Sequence, residues 1–149
     1  MTIAYQLLEL STGEGITFHN ITSQIQACVT ANQVQQGHVL VFSRHTTTAL
    51  VINEDEERLL EDIKTFLRKL APESDRYLHN DLHLRPNLPA DEPMNAHSHL
   101  MAMMLTTSEM IPIVDGKLAL GTYQSVLLLD LDGPRQRQVF CQVWGETGN

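Results

Sequence analysis

Cysteine is scarce in this 149-residue chain. Only Cys28 and Cys141 are present, both among apolar neighbours, so a disulfide framework is excluded and two small buried thiols are expected. Positive charge is scarce too. Ten Lys and Arg face 18 Asp and Glu, for a formal net charge of -8. That balance argues against nonspecific attraction to nucleic acid or an anionic membrane. No run approaches the ~20 apolar residues of a membrane span. The start, Met1-Thr2-Ile3-Ala4-Tyr5-Gln6, has neither a basic region nor a sustained apolar stretch, so no signal peptide is read there. A cytoplasmic protein is the expectation. Phosphate-binding glycine loops, dinucleotide fingerprints, paired-cysteine zinc motifs and nucleophile elbows are all missing.

A globular composition is present, with 42% hydrophobic and 19% charged residues, and the length suits one domain over 1–149. Thr2 to Leu10 and Ile16 to His19 read as a hairpin around Ser11-Thr12-Gly13-Glu14-Gly15. Ile21, Ile25, Cys28, Val29 and Val34 recur at helical spacing, with Gly37 as the stop. His38–Ser43 and Ala49–Ile52 read as strands. The clearest helix runs from about Glu54 to Leu70, acidic at its start and basic at its end, as the helix dipole favours.

A polar connection with four prolines spans Ala71 to Pro93, and loops of that length often carry function. Asn95 is placed to cap a helix through Met104. Four strands end the chain: Met110–Val114, Lys117–Leu120, Thr122–Leu131 and Gln136–Trp144. The order predicts an α+β fold, a mostly antiparallel β-sandwich-like sheet with two main helices to one side.

Five of the seven histidines lie between 45 and 99: His45, His79, His83, His97 and His99. His19 and His38 sit at element edges and read as surface or capping residues. Imidazoles beside carboxylates and amides, as in His79-Asn80-Asp81, suit a transition metal. Equally, they suit a polar loop with no ligand. His97 and His99 diverge by about 200° if they share a helix, so only one of them need face a site. Arg44-His45-Thr46-Thr47-Thr48 follows a buried strand and suits anion recognition, or a Thr-rich edge. Arg135 and Arg137 alternate onto one face of the last strand. Arg pairs suit phosphate because the guanidinium fork matches it bidentately; a turn followed by solvent-facing charges is the plainer alternative.

The motifs His45-Thr46-Thr47-Thr48-Ala49-Leu50, Ile52-Asn53-Glu54, His79-Asn80-Asp81 and Asn95-Ala96-His97-Ser98-His99-Leu100 occur in order. Asp115-Gly116-Lys117-Leu118-Ala119-Leu120-Gly121-Thr122-Tyr123-Gln124 and Asp132-Gly133-Pro134-Arg135 come after them. Together they resemble the YjbQ family, also called the secondary thiamine-phosphate synthase family, over essentially the whole chain. The resemblance implies an α+β sandwich, a homotrimer and a thiamine phosphate synthase-like transferase activity. That reaction joins a hydroxymethylpyrimidine pyrophosphate to a thiazole phosphate and expels pyrophosphate.

It further implies His45, Asp81 and Arg135 as catalytic residues, and Arg44, Thr46, Gln124, Arg135 and Arg137 as contacts to a small phosphorylated substrate. His45, His79, His97 and His99 become ligands of a divalent metal, zinc before magnesium. Tyr123 stands where the family commonly has Trp. Leu82-His83-Leu84-Arg85 replaces an acidic stretch, which offers His83 as a substitute ligand. Two alternatives remain open. One is a zinc-dependent hydrolase of a phosphorylated or acyl substrate, with Asp81 or Glu54 as base. The other is a non-enzymatic small-molecule or metal-binding trimer.

Overall fold

The computed structural model describes residues 1–148. The strands are β1 (Thr2–Ser11), β2 (Gly15–Asn20), β3 (Val34–Ser43), β4 (Thr48–Asn53), β5 (Ser108–Val114), β6 (Lys117–Leu118), β7 (Ser125–Gly133) and β8 (Gln136–Thr147). The helices are α1 (Thr22–Ala31), α2 (Glu57–Leu70) and α3 (Ala96–Met104). A five-stranded antiparallel sheet has the order β1-β8-β3-β5-β6, and a three-stranded antiparallel sheet has the order β2-β7-β4. The fold is α+β, as expected. Among the described residues no helix is long and apolar enough to cross a membrane.

Alternation along β7 sets the layers. Val126 and Leu128 point toward the five-stranded sheet and pack with Val39, Val41, Val139, Cys141 and Val143. Leu127, Leu129 and Leu131 point the other way, onto Leu67 of α2 and Met101 of α3. The strand is therefore apolar on both faces, which explains its nearly unbroken leucine run. Helix α1 closes one flank of the inner core through Ile25, Cys28 and Val29. Both cysteines are buried free thiols.

Three expectations are corrected. The first helix stops at Ala31, not near Gly37; Gln33 takes a positive φ of 56° and Val34 already belongs to β3. Gly37 sits within that strand, where a Cβ would strike the backbone of Trp144 on β8. The strand from Lys117 ends at Leu118, and β7 starts at Ser125 rather than Thr122. Along α2, Leu60, Ile63 and Leu67 make the packing face, while Phe66 is left exposed.

Helix α2 starts at Glu57 because Glu56 caps it. The Glu56 carboxylate accepts from the backbone N–H of Arg58 and of Leu59. Replacing Glu56 with Ala leaves both donors without that partner and is expected to cost about 1 kcal/mol. Urea unfolding checks this: the midpoint falls with no change in slope.

Candidate functional site

At one end of the sandwich a buried ion pair closes the core. Arg137 continues the inward-facing series Val139, Cys141 and Val143 on β8. Asp130 continues Val126 and Leu128 on β7. The Arg137 Nε and Nη2 atoms both donate to the Asp130 carboxylate at 2.8 Å, and the two side chains are 4% and 0% exposed. Arg137 Nη2 also donates to Thr47 Oγ1, and Thr12 Oγ1 donates to Asp130. Arg137 is thus not the solvent-facing charge that its position after a turn allowed. Burial pushes the Asp130 carboxyl up, but the bonds from Arg137, Thr12 and the Asp132 backbone outweigh it and hold the group below the usual carboxylate range.

A cleft of about 360 Å³ opens above this pair. Arg44, His45, Thr46 and Thr47 of the β3–β4 connection form one wall, and Arg135 and Arg137 form the floor. Glu92, Pro93, Asn95 and His99 form the opposite wall. Each guanidinium is fixed by a partner yet keeps free donors. Arg135 donates through Nε to the Asp132 carbonyl and through Nη2 to its carboxylate, at 3.0 and 2.9 Å. Arg44 donates through Nη1 to Gln138 Oε1. Nη1 of Arg135 and of Arg137, and Nη2 of Arg44, have no partner among the described residues. Carboxylates hold Arg135 and Arg137, an amide oxygen holds Arg44, and all three side chains line the cleft.

Two imidazoles complete the walls. The Gln138 backbone N–H donates to His45 Nε2 at 2.8 Å, so that nitrogen carries the lone pair and the neutral ring holds its proton on Nδ1. Burial, then the Arg137 charge, pushes His45 below its ordinary 6.5, with Asp130 opposing. Burial, then His79, does the same to His99, with Asp132 opposing. Both rings stay neutral in the fold and take up protons more readily once unfolded. The stability they contribute is full above 6.5 and is lost as pH falls below it. The thermal midpoint is therefore expected to fall from about pH 7 to about 5.5, and His99→Gln to flatten that fall. Scanning calorimetry across that range reads it.

The remaining predicted residues are dispersed. His97 and His99 point to opposite sides of α3; His97 lines a separate cleft beside Met101 and Leu131. His79 packs edge-on against His99 at a centroid distance of 4.7 Å. Asp81 is held by Arg76 at 3.5 Å and does not line the arginine cleft. Gln124 lies at the far end of the three-stranded sheet beside Tyr123. His83 is exposed on a short 3-10 turn. The expected four-imidazole metal set does not converge, because α3 separates its members and His45 Nε2 is already occupied. Among the described residues no group of three or more His, Cys, Asp or Glu is arranged to hold a metal ion. The donor set within one copy therefore does not fit a resident zinc.

The proline-rich connection is ordered by its own polar contacts. Arg85 donates to the His79 carbonyl and to Glu92, and Asn80 Oδ1 accepts from the Ala96 N–H at the start of α3. Asn95 stands at the N-cap position without capping; its Nδ2 reaches Asp132 instead, and its Oδ1 is buried without a partner. Sequence reasoning missed Asp130, Thr12, Glu92 and Asn95 as site-forming residues, while Thr47 lay within the stretch it offered for anion recognition. Asp130 carried a signal: a lone charge within Leu127-Leu128-Leu129-Asp130-Leu131, matched by an arginine in phase with the inward residues of β8.

The family model described as "UPF0047 protein YjbQ-like" matches residues 6–146. A UPF0047 protein of Archaeoglobus fulgidus is 45% identical over 135 residues, covering 91% of this chain and 97% of the relative. A second, from Methanothermobacter thermautotrophicus, is 36% identical and covers 98% and 95%. The crystal structure of a YbjQ-like protein of unknown function from Sulfolobus solfataricus superposes with a TM-score of 0.87 at 34% identity, covering 97% of this chain and 99% of that one.

Proposed function

This chain belongs to the UPF0047 YjbQ-like family, and on that footing we propose that its arginine cleft binds the phosphate end of a small molecule as a transferase of the thiamine phosphate synthase kind. One observation carries the reading: three guanidiniums in a strongly acidic chain turn free donors into one cleft, each held from behind. Phosphate oxygens match such donors, and a site arranged before the ligand arrives loses little entropy on binding. A leaving pyrophosphate gains charge as its bond breaks, and fixed donors stabilise that charge. The Nδ1–H of His45 adds a neutral donor, and His99, also neutral, accepts or returns a proton at the opposite wall.

Thr46 and Thr47 supply hydroxyls on the His45 side. Asp81 and Gln124 take no part within one copy, because neither reaches the cleft. Incubating the protein with the hydroxymethylpyrimidine pyrophosphate and the thiazole phosphate tests the reading. Thiamine phosphate and pyrophosphate should form, and Arg135→Ala should slow them at least tenfold. Turnover unchanged in Arg135→Ala would place the chemistry elsewhere. The homotrimer implied by the family resemblance belongs to the same proposal and is read by light scattering.

A further inference from the structure

A second and larger cleft, of about 650 Å³, plays no part in the function proposed above. That volume lies in the range of small-molecule sites. Glu14 and Ile16 reach it from the β1–β2 turn and the start of β2, and Arg68 from the last turn of α2. The segment after α2, the residues on either side of the start of α3, and the end of β7 complete it. Pro93 lines this cleft and the arginine cleft alike. Asp132 links the two: it lines the second, and its carboxylate accepts from Arg135 and Asn95 of the first.

Much of the lining is apolar. Met101 and Leu131 come from the outer core, and Pro72 and Pro93 bring rings without a backbone donor. Met94 lines the cleft too and is 61% exposed, an adaptable thioether with little of its own chain against it. His97 sets a polar group among these side chains. Its Nδ1 is buried with no hydrogen-bond partner among the described residues. Such an atom carries a desolvation cost that a bound partner removes.

Charges of both signs surround this lining. Arg68 has no carboxylate within ion-pair distance among the described residues, and neither Glu14 nor Glu73 has a cation. All three side chains are exposed. Asp132, the remaining charge there, is already paired with Arg135. The two clefts therefore select differently. In the second, a phosphate meets two unpaired carboxylates, and a simple cation meets an unpaired guanidinium. A molecule carrying one charge of each sign answers both.

We propose that this second cleft binds a small zwitterion with an apolar body, an α-amino acid carrying a large aromatic or thioether side chain. Its carboxylate faces Arg68, whose guanidinium fork suits a carboxylate. Its ammonium faces Glu14 and Glu73, and its side chain lies against Met101, Leu131 and the two prolines. Arg44, His45, Arg135 and Arg137 take no part, so this site stands or falls separately from the phosphate site.

Titration with L-phenylalanine, followed by the amide NMR shifts of the labelled full chain, tests it. The Ser74, Met101 and Gly133 amides should move at millimolar ligand, and the Thr46 amide of the arginine cleft should not. Phenethylamine lacks the carboxylate and 3-phenylpropionate lacks the ammonium, so each should bind more weakly than L-phenylalanine. Arg68→Gln should weaken L-phenylalanine about twofold to fivefold, the range of an exposed ion pair, and leave phenethylamine unchanged. The double variant Glu14→Gln with Glu73→Gln should weaken L-phenylalanine and leave 3-phenylpropionate unchanged. These positions are exposed, so the variants keep the fold. No shifts at millimolar L-phenylalanine, or shifts centred on Thr46, overturn the proposal. Equal binding of the three compounds, or an Arg68→Gln variant that binds L-phenylalanine like the parent, overturns it as well.

Discussion

Asp130→Ala should lower the thermal unfolding midpoint by about 10 °C. Its carboxylate is 0% exposed and takes two bonds from Arg137, itself 4% exposed. Removing one partner of such a pair leaves a buried charge uncompensated, at a cost of about 3–5 kcal/mol. For a domain of this length each kcal/mol shifts the midpoint by about 2–4 °C. The double change Asp130→Leu with Arg137→Met should recover most of the loss, since apolar residues often replace a buried pair without penalty. Acid should act like the single change. The pair holds the Asp130 carboxyl below its ordinary value, so its contribution is present at neutral pH and lost as pH falls through the folded value. A midpoint within ~2 °C of the parent for Asp130→Ala would show that the pair does not hold the sheets together.

Pyrophosphate affinity should fall about tenfold to a hundredfold in Arg135→Ala, and again in Arg44→Ala. Each side chain offers a free charged donor, and a charge-assisted hydrogen bond contributes about 1.5–3 kcal/mol. Both are exposed enough that folding should survive, unlike Arg137. Arg44 and Arg135 are far apart in sequence and fixed by different partners, so the double variant should show nearly additive loss. Isothermal titration at two salt concentrations reads both effects. Equal affinity in parent and double variant would remove the cleft as an anion site.

Strands were legible where one physical signal dominated. The Asp115-Gly116 turn, the alternation along β8 and the amphipathic run of α2 all stand close to where the pattern puts them. Boundaries slipped where tertiary contact overrode local preference. Val34 kept helical phase with Ile21 and Ile25, yet Gln33 turns the chain and the strand from Val34 onward pairs with β8. In the site, Arg44, His45, Thr46, Arg135 and Arg137 were readable because strand ends and turns bring them together. His97 and His99 could not be divided by spacing alone, since which wall each faces depends on how α3 packs on Leu131. That Asp81 and Gln124 lie away from this cleft was hidden for a similar reason: a motif does not say at which end of a strand its residues fall.

One side chain, Arg137, both lines the cleft and seals the hydrophobic interior against water. That double duty limits how the molecule can diversify. A lineage drifting toward an uncharged ligand cannot discard this guanidinium unless Asp130 changes with it, and the intermediate carrying only one change is the least stable of the series. New preferences in such descendants must therefore enter through Arg44, Arg135 and the proline-rich connection, which can vary while the floor stays fixed.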